Sequence, residues 1–194
     1  MDTEASDEIM QATYRALCEY GYADLTMQRI ADATEKSKSA LHYHYDTKEE
    51  LLDAFLEFLV EDFERRFACE SADPRERLEK FLSAVYDSPD DDAGDFPVAL
   101  LEIKAQAPYH EVYRERLVAL DDRMRAVIAS AVADGIEAGH FDDADPEEVA
   151  RFVVTATYGA HVREVALGES PEQTRQLVES YLDAALGFAP EAVA

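Results

Sequence analysis

Apolar residues recur at helical spacing along almost the whole of this chain, and short polar breaks cut that pattern into segments. Ile9, Ala12, Ala16 and Leu17 line one side of a first helix over 7–20, and Gly21 follows as a stop. Thr26 is placed to cap a second helix with Ile30, Ala31 and Ala33 facing inward. Residues 34–36 then read as a turn. Ser37 caps a third short helix to about Tyr43, with Ala40 and Leu41 available to a core. Thr47, with Glu50 three residues on, has the form of a capping box. It opens a long helix to about Phe67 whose stripe is Leu51, Leu52, Phe55, Leu59 and Phe63.

The remainder reads the same way. Pro74 and Pro146 suit first helical turns, where the missing N–H costs nothing. Leu78, Phe81, Leu82 and Val85 give one stripe; Val112, Leu117, Leu120, Met124, Val127, Ile128 and Val132 give another, over 109–139. Helices are also expected over 96–107, 146–167 and 171–186, with a loop over 88–95. With only seven Gly and seven Pro in 194 residues, the pattern predicts an all-α protein of about nine helices. Residues 1–50 form a compact three-helix unit, and a long helix links it to a larger helical body over 51–194.

Charge singles out one stretch of that layout. Residues 26–48 carry four basic side chains (Arg29, Lys36, Lys38, Lys48) against three acidic ones, a local +1 in a chain of formal net charge -25. A reversal of that kind in so acidic a protein suits a polyanion, and two short helices across a tight turn suit a groove of DNA. Elsewhere Asp and Glu total 43 against 18 basic residues, of which 13 are Arg. Self-repulsion on that scale opposes compaction. It fades in molar salt, where the screening length falls to about 3 Å, so the composition is that of a halophilic cytoplasmic protein.

Several classes are disfavoured. His42, His44, His110, His140 and His161 do not fall at metal-binding helical spacing with acidic partners, so no metal or cofactor is expected. No nucleophile elbow or phosphate-binding loop is present, and the chain does not read as an enzyme. Asp90, Asp91, Asp92, Gly94 and Asp95 have the wrong order for a calcium loop. Cys18 and Cys69 are lone and expected to face inward in a reducing compartment. No segment reads as a membrane span or secretory signal, which predicts a cytoplasmic location without membrane partners.

Gly21-Tyr22, Thr26, Ile30-Ala31, Ser37-Lys38, Leu41, His44-Tyr45, Lys48 and Leu51-Leu52 together resemble the N-terminal domain of tetracycline-repressor (TetR) family transcription regulators. The sequence departs from the family pattern in the turn, where Thr34-Glu35-Lys36 stand in place of Ala-Gly-Val, and at His42, where the family has a tyrosine.

The resemblance implies a helix-turn-helix DNA-binding repressor. Thr26, His44, Thr47 and Lys48 would seat the domain on phosphates, and Ser37 would cap the third helix beside them. Lys38, Ser39, His42 and Tyr43 would read base edges, with Gln28 assisting. It further implies a homodimer on palindromic double-stranded DNA, with half-sites about 34–36 Å apart or a multiple. Val153, Val154, Ala156, Ala160, Val178, Tyr181, Leu182 and Ala185 are candidates for the dimer interface, although many could equally fill one chain's own core. Phe81, Tyr86, Phe96, Leu100, Ile103, Tyr113, Met124, Tyr158 and His161 form the pool for a small-molecule effector chamber, with Glu102, Lys104 and His161 as polar anchors. The rival reading is a helical module that binds protein partners and no DNA.

Overall fold

A computed structural model describes residues 3–34, 38–67, 73–87 and 96–188; the side chains of 3–5, 38–40 and 96 lie outside that description. The turn residues Glu35, Lys36 and Ser37, the second cysteine Cys69 and the expected loop over 88–95 also lie outside the described residues. The described residues form nine α-helices and no strand: α1 Thr3–Asp24, α2 Met27–Asp32, α3 Lys38–His44, α4 Lys48–Phe67, α5 Pro74–Tyr86, α6 Phe96–Gln106, α7 Glu111–Glu137, α8 Pro146–Leu167 and α9 Glu172–Leu186.

Their boundaries follow local chemistry. The Thr26 side chain accepts the Arg29 N–H at 3.2 Å and caps α2. Thr47 accepts the Glu50 N–H at 3.1 Å, while the Glu50 carboxylate accepts the Asp46 N–H at 2.9 Å, a reciprocal pair at the start of α4. Asp73 and Asp145 cap α5 and α8, each followed by proline in the first turn. Gly168 and Gly187 close α8 and α9 in left-handed backbone. No helix among the described residues is long and apolar enough to cross a membrane.

Packing divides the chain into two compact units. One holds α1–α3, α4 to Phe63, α6, and α7 to Leu120; the other holds the end of α4, α5, the rest of α7, α8 and α9. Although α6 and the start of α7 lie far beyond residue 50, they pack with the N-terminal helices. The first unit's core joins Ile9, Ala16 and Leu17 of α1, Ile30 of α2, Leu41 of α3, and Leu51, Leu52 and Phe55 of α4. Ala99 and Ile103 of α6 and Tyr113 of α7 complete it. Val112, expected on an apolar stripe, is 46% exposed, and Cys18 is half-buried.

In the second unit, Phe81, Leu82, Ile128, Val132, Val153, Val154, Val178 and Leu182 are buried. Phe141 lies so close to α7 that a Cβ on Gly135 would come within 2.1 Å of its ring. The Thr157 hydroxyl donates to the Tyr86 hydroxyl at 3.2 Å, and Nε2–H of His161 donates to the Val85 carbonyl at 3.0 Å, tying α8 to α5.

Burial pushes the phenols of Tyr86 and Tyr113 above their ordinary value of 10.0 and that of Tyr158 to about 12. Between pH 10 and about 12 the Tyr158 phenol ionises in the unfolded chain and stays largely protonated in the folded one, and the raised phenols of Tyr86 and Tyr113 act in the same direction. Stability is therefore unaffected below pH 10 and falls as pH rises from 10 to about 12, each group steepening the fall by up to about 1.4 kcal/mol per pH unit. Thermal unfolding followed from pH 9 upward should show a midpoint flat to about pH 10 and declining beyond it.

Candidate nucleic-acid interface

The short helix α3 is built with one face sealed and the other open. Leu41 is fully buried, and Tyr45, just past the helix end, is 7% exposed. His42 is exposed and Tyr43 is 86% exposed, so neither is spent on the core. The only described ring contact of Tyr43 is edge-on to His44, at 5.2 Å between centroids. Lys38 and Ser39 open the same helix, and their side chains lie outside the described residues. Gln28 is exposed on α2, where its amide donates to Asp32 at 2.7 Å.

The basic residues of this segment are positioned differently from one another. Arg29 lies over the Tyr20 ring at 4.2 Å and donates to the Asp24 carbonyl. Lys48 lies 4.5 Å from the Tyr22 ring centroid, and its Nζ donates to the Tyr22 carbonyl at 3.3 Å. Arg15 of α1 donates to the Ala33 carbonyl at 2.8 Å, placing positive charge at the C-terminal end of α2, where the helix dipole favours it. Thr34 is held to Glu8 at 3.1 Å. The entry to the turn is thus clamped from α1.

Tyr22 has a second tether. Its backbone N–H donates to the Glu102 carboxylate at 2.6 Å, which joins the end of α1 to α6. Glu102, expected as a polar anchor of an effector chamber, thus holds the end of α1. The contact depends on Gly21, whose φ of 69° and ψ of 174° lie in a region that glycine alone adopts readily. A Cβ there would also come within 2.9 Å of the Glu102 carboxylate. Gly21→Ala is expected to destabilise the fold by about 1–3 kcal/mol, read as a lower midpoint in denaturant at unchanged slope.

The effector-chamber pool is shared between the two packing units. Phe81, Tyr86, Met124, Tyr158 and His161 belong to the second unit, whereas Leu100, Ile103 and Tyr113 belong to the first. Ile103 and Tyr113 are part of the core beneath the helix-turn-helix, and the side chain of Phe96 lies outside the described residues.

Among the expected dimer residues, Val153, Val154, Ala160, Val178 and Leu182 are buried within the single chain, leaving Ala156, Tyr181 and Ala185 partly accessible. Helix α8 is apolar on two faces, and its inward face took Val153, Val154 and Ala160, while Val178 and Leu182 are buried from α9. The outward face carries Phe152, Ala156, Gly159 and Val162, next to Leu177 and Tyr181 of α9. Phe152 is 43% and Leu177 68% exposed, and the Phe152 and Tyr181 rings lie 3.9 Å apart between centroids. The signal for this face was present as the spacing of Phe152, Ala156 and Gly159.

Two short helices across a turn, the second with one side sealed at Leu41 and the other open at His42 and Tyr43, define a helix-turn-helix transcription regulator. Residues 9–55 match the model described as bacterial regulatory proteins, tetR family, and residues 74–187 match that of the BetI-type transcriptional repressor, C-terminal. The chain belongs to the TetR family of transcription regulators, which are DNA-binding proteins and not enzymes. It is 43% identical to a TetR transcription regulator from Haloarcula marismortui, with a TM-score of 0.85 over 95% of this chain and 99% of that one. The HTH-type transcriptional repressor KstR2 of Mycobacterium tuberculosis is 27% identical over 194 residues, 93% of this chain and 90% of the repressor. A transcriptional regulator from Saccharomonospora viridis, solved in complex with choline, shares the fold at 22% identity and a TM-score of 0.80, covering 95% of this chain and 98% of that one.

Proposed function

We propose that this protein is a cytoplasmic repressor that binds a palindromic operator as a homodimer and is released by a small-molecule effector. The observation that carries the reading is the exposed pair His42 and Tyr43 on a helix whose other side is buried at Leu41. In this reading residues 1–50 form the DNA-binding domain and 51–194 the effector and dimerisation domain. Lys38, Ser39, His42 and Tyr43 read base edges with help from Gln28. Thr26, Ser37, His44, Thr47 and Lys48 set the head on phosphates, with Lys48 oriented by its Tyr22 contacts.

The homodimer uses the outward face of α8 and α9 at Phe152, Ala156, Gly159, Val162, Leu177 and Tyr181, where small residues permit close helix approach. The effector chamber draws on Phe81, Tyr86, Met124, Tyr158 and His161. That a relative holds choline supports small-molecule control of this body without identifying the ligand.

The acidic surface bears on how DNA is held. A net charge of -25 and a relative from Haloarcula marismortui support a protein adapted to high salt. Unfolding midpoints should rise between dilute buffer and molar KCl as self-repulsion is screened. Ordinary repressors lose affinity steeply with salt because each neutralised phosphate releases counterions. Few lysines and arginines reach this interface, so fluorescence anisotropy with operator DNA should show a shallow dependence on KCl. A slope as steep as lac repressor's, about -10, would overturn the salt-adapted part of the reading. Absence of operator binding at every salt concentration would overturn the function itself.

A further inference from the structure

Glu102 of α6 is an acid held against the helices that carry the helix-turn-helix, and its carboxylate has one use among the described residues. It accepts the Tyr22 N–H at 2.6 Å and forms no ion pair there. A carboxylate acceptor makes this one of the stronger classes of hydrogen bond. By its charge alone, an acid in this place repels phosphate and weakens attraction to DNA.

The carbonyl of the same Tyr22 holds a cation. It accepts Lys48 Nζ at 3.3 Å and the Leu25 N–H at 3.3 Å. The Tyr22 ring lies 4.5 Å from that Nζ and packs against the first unit's core. Glu102, Tyr22 and Lys48 all belong to the first packing unit. Lys48 depends on such a hold. It opens α4, where the helix dipole is positive and repels a cation. Its stem is flexible, and among the described residues its ammonium group has no partner on α4 itself. Tyr22 engages one N–H donor and offers a ring face, which leaves the other donors of the ammonium group for a phosphate.

We propose that Glu102 is a positioning residue for DNA binding: through the Tyr22 peptide it fixes Lys48 where that side chain meets a phosphate. The inference rests on the DNA-binding reading. An acid on α6 thereby strengthens the hold on a polyanion, the reverse of what its charge does alone.

The probe is duplex DNA selected from a random-sequence library by the full-length parent protein, with affinity followed by fluorescence anisotropy against KCl. Glu102→Ala is expected to bind it about tenfold more weakly, with a salt slope shallower by about one per reading head, as loss of one phosphate contact requires. Glu102→Gln, whose amide oxygen can still accept the Tyr22 N–H, should restore both. In Lys48→Ala, adding Glu102→Ala should weaken binding no further, because the contact it positions is already gone. Affinity of Glu102→Ala equal to or above that of the parent would overturn the proposal, since removing an acid by itself favours DNA. So would a further tenfold loss in the double variant, which would place the action of Glu102 elsewhere in the fold. Should Glu102→Ala not fold, the same comparisons are made with Glu102→Asp, which keeps the charge but falls one methylene short of Tyr22. A parent protein that selects no duplex would overturn the DNA-binding reading itself, and this inference with it.

Discussion

Replacing Lys38 and Tyr43 together by alanine is expected to weaken operator binding by about 100-fold while leaving thermal unfolding unchanged. Each base-reading contact is worth roughly 1–3 kcal/mol, so two of them span about 30-fold to 10⁴-fold. The fold should not notice. Tyr43 is 86% exposed, and surface substitutions away from packed or capped positions shift stability by about 0.5 kcal/mol or less. Tyr43→Phe separates the modes of contact: retention of binding would assign Tyr43 to packing against a thymine methyl, and loss would assign its hydroxyl to phosphate or base. Unchanged DNA binding in the double variant would favour the rival helical module that docks on proteins.

The other large effect concerns the outward face of α8 and α9. Phe152→Glu combined with Leu177→Glu should dissociate the homodimer, raising its dissociation constant by at least about 1,000-fold, some 4 kcal/mol. Two-fold symmetry places each new carboxylate twice in one interface, and an unpaired charge removed from water costs several kcal/mol. Both side chains are exposed in the single chain, so the helical content of the protomer should persist. Light scattering would report the change of mass. Operator affinity should fall with it, because one reading head engages a single half-site. A variant that stays dimeric would show that the two chains meet elsewhere.

What the sequence made legible was set by which physical signals are local. Capping by Thr26, the first-turn prolines Pro74 and Pro146 and the break in helical backbone at Gly21 need only neighbouring residues, although α1 resumes beyond that break to Asp24. The inward faces of the first three helices were equally readable, because each has one apolar side. Helix α8 was not, since apolar residues occupy most of its circumference and periodicity alone does not say which side meets the same chain. Ile103 and Tyr113 reached the N-terminal core, far from their neighbours in sequence, through the packing of α6 and α7 there. The Glu102 tether to Tyr22 was beyond reach for the same reason: it spans 80 positions, and no local rule pairs a carboxylate with a distant backbone N–H.

Mapping the DNA bound by this protein across the genome of its source cell puts the helix-turn-helix assignment to the test. Enrichment is expected at short inverted repeats whose half-site centres lie about 34–36 Å apart or a multiple, and it should vanish when Lys38 and Tyr43 are both alanine. No enrichment over a control without the protein, or enrichment that survives the double substitution, would contradict DNA reading by α3.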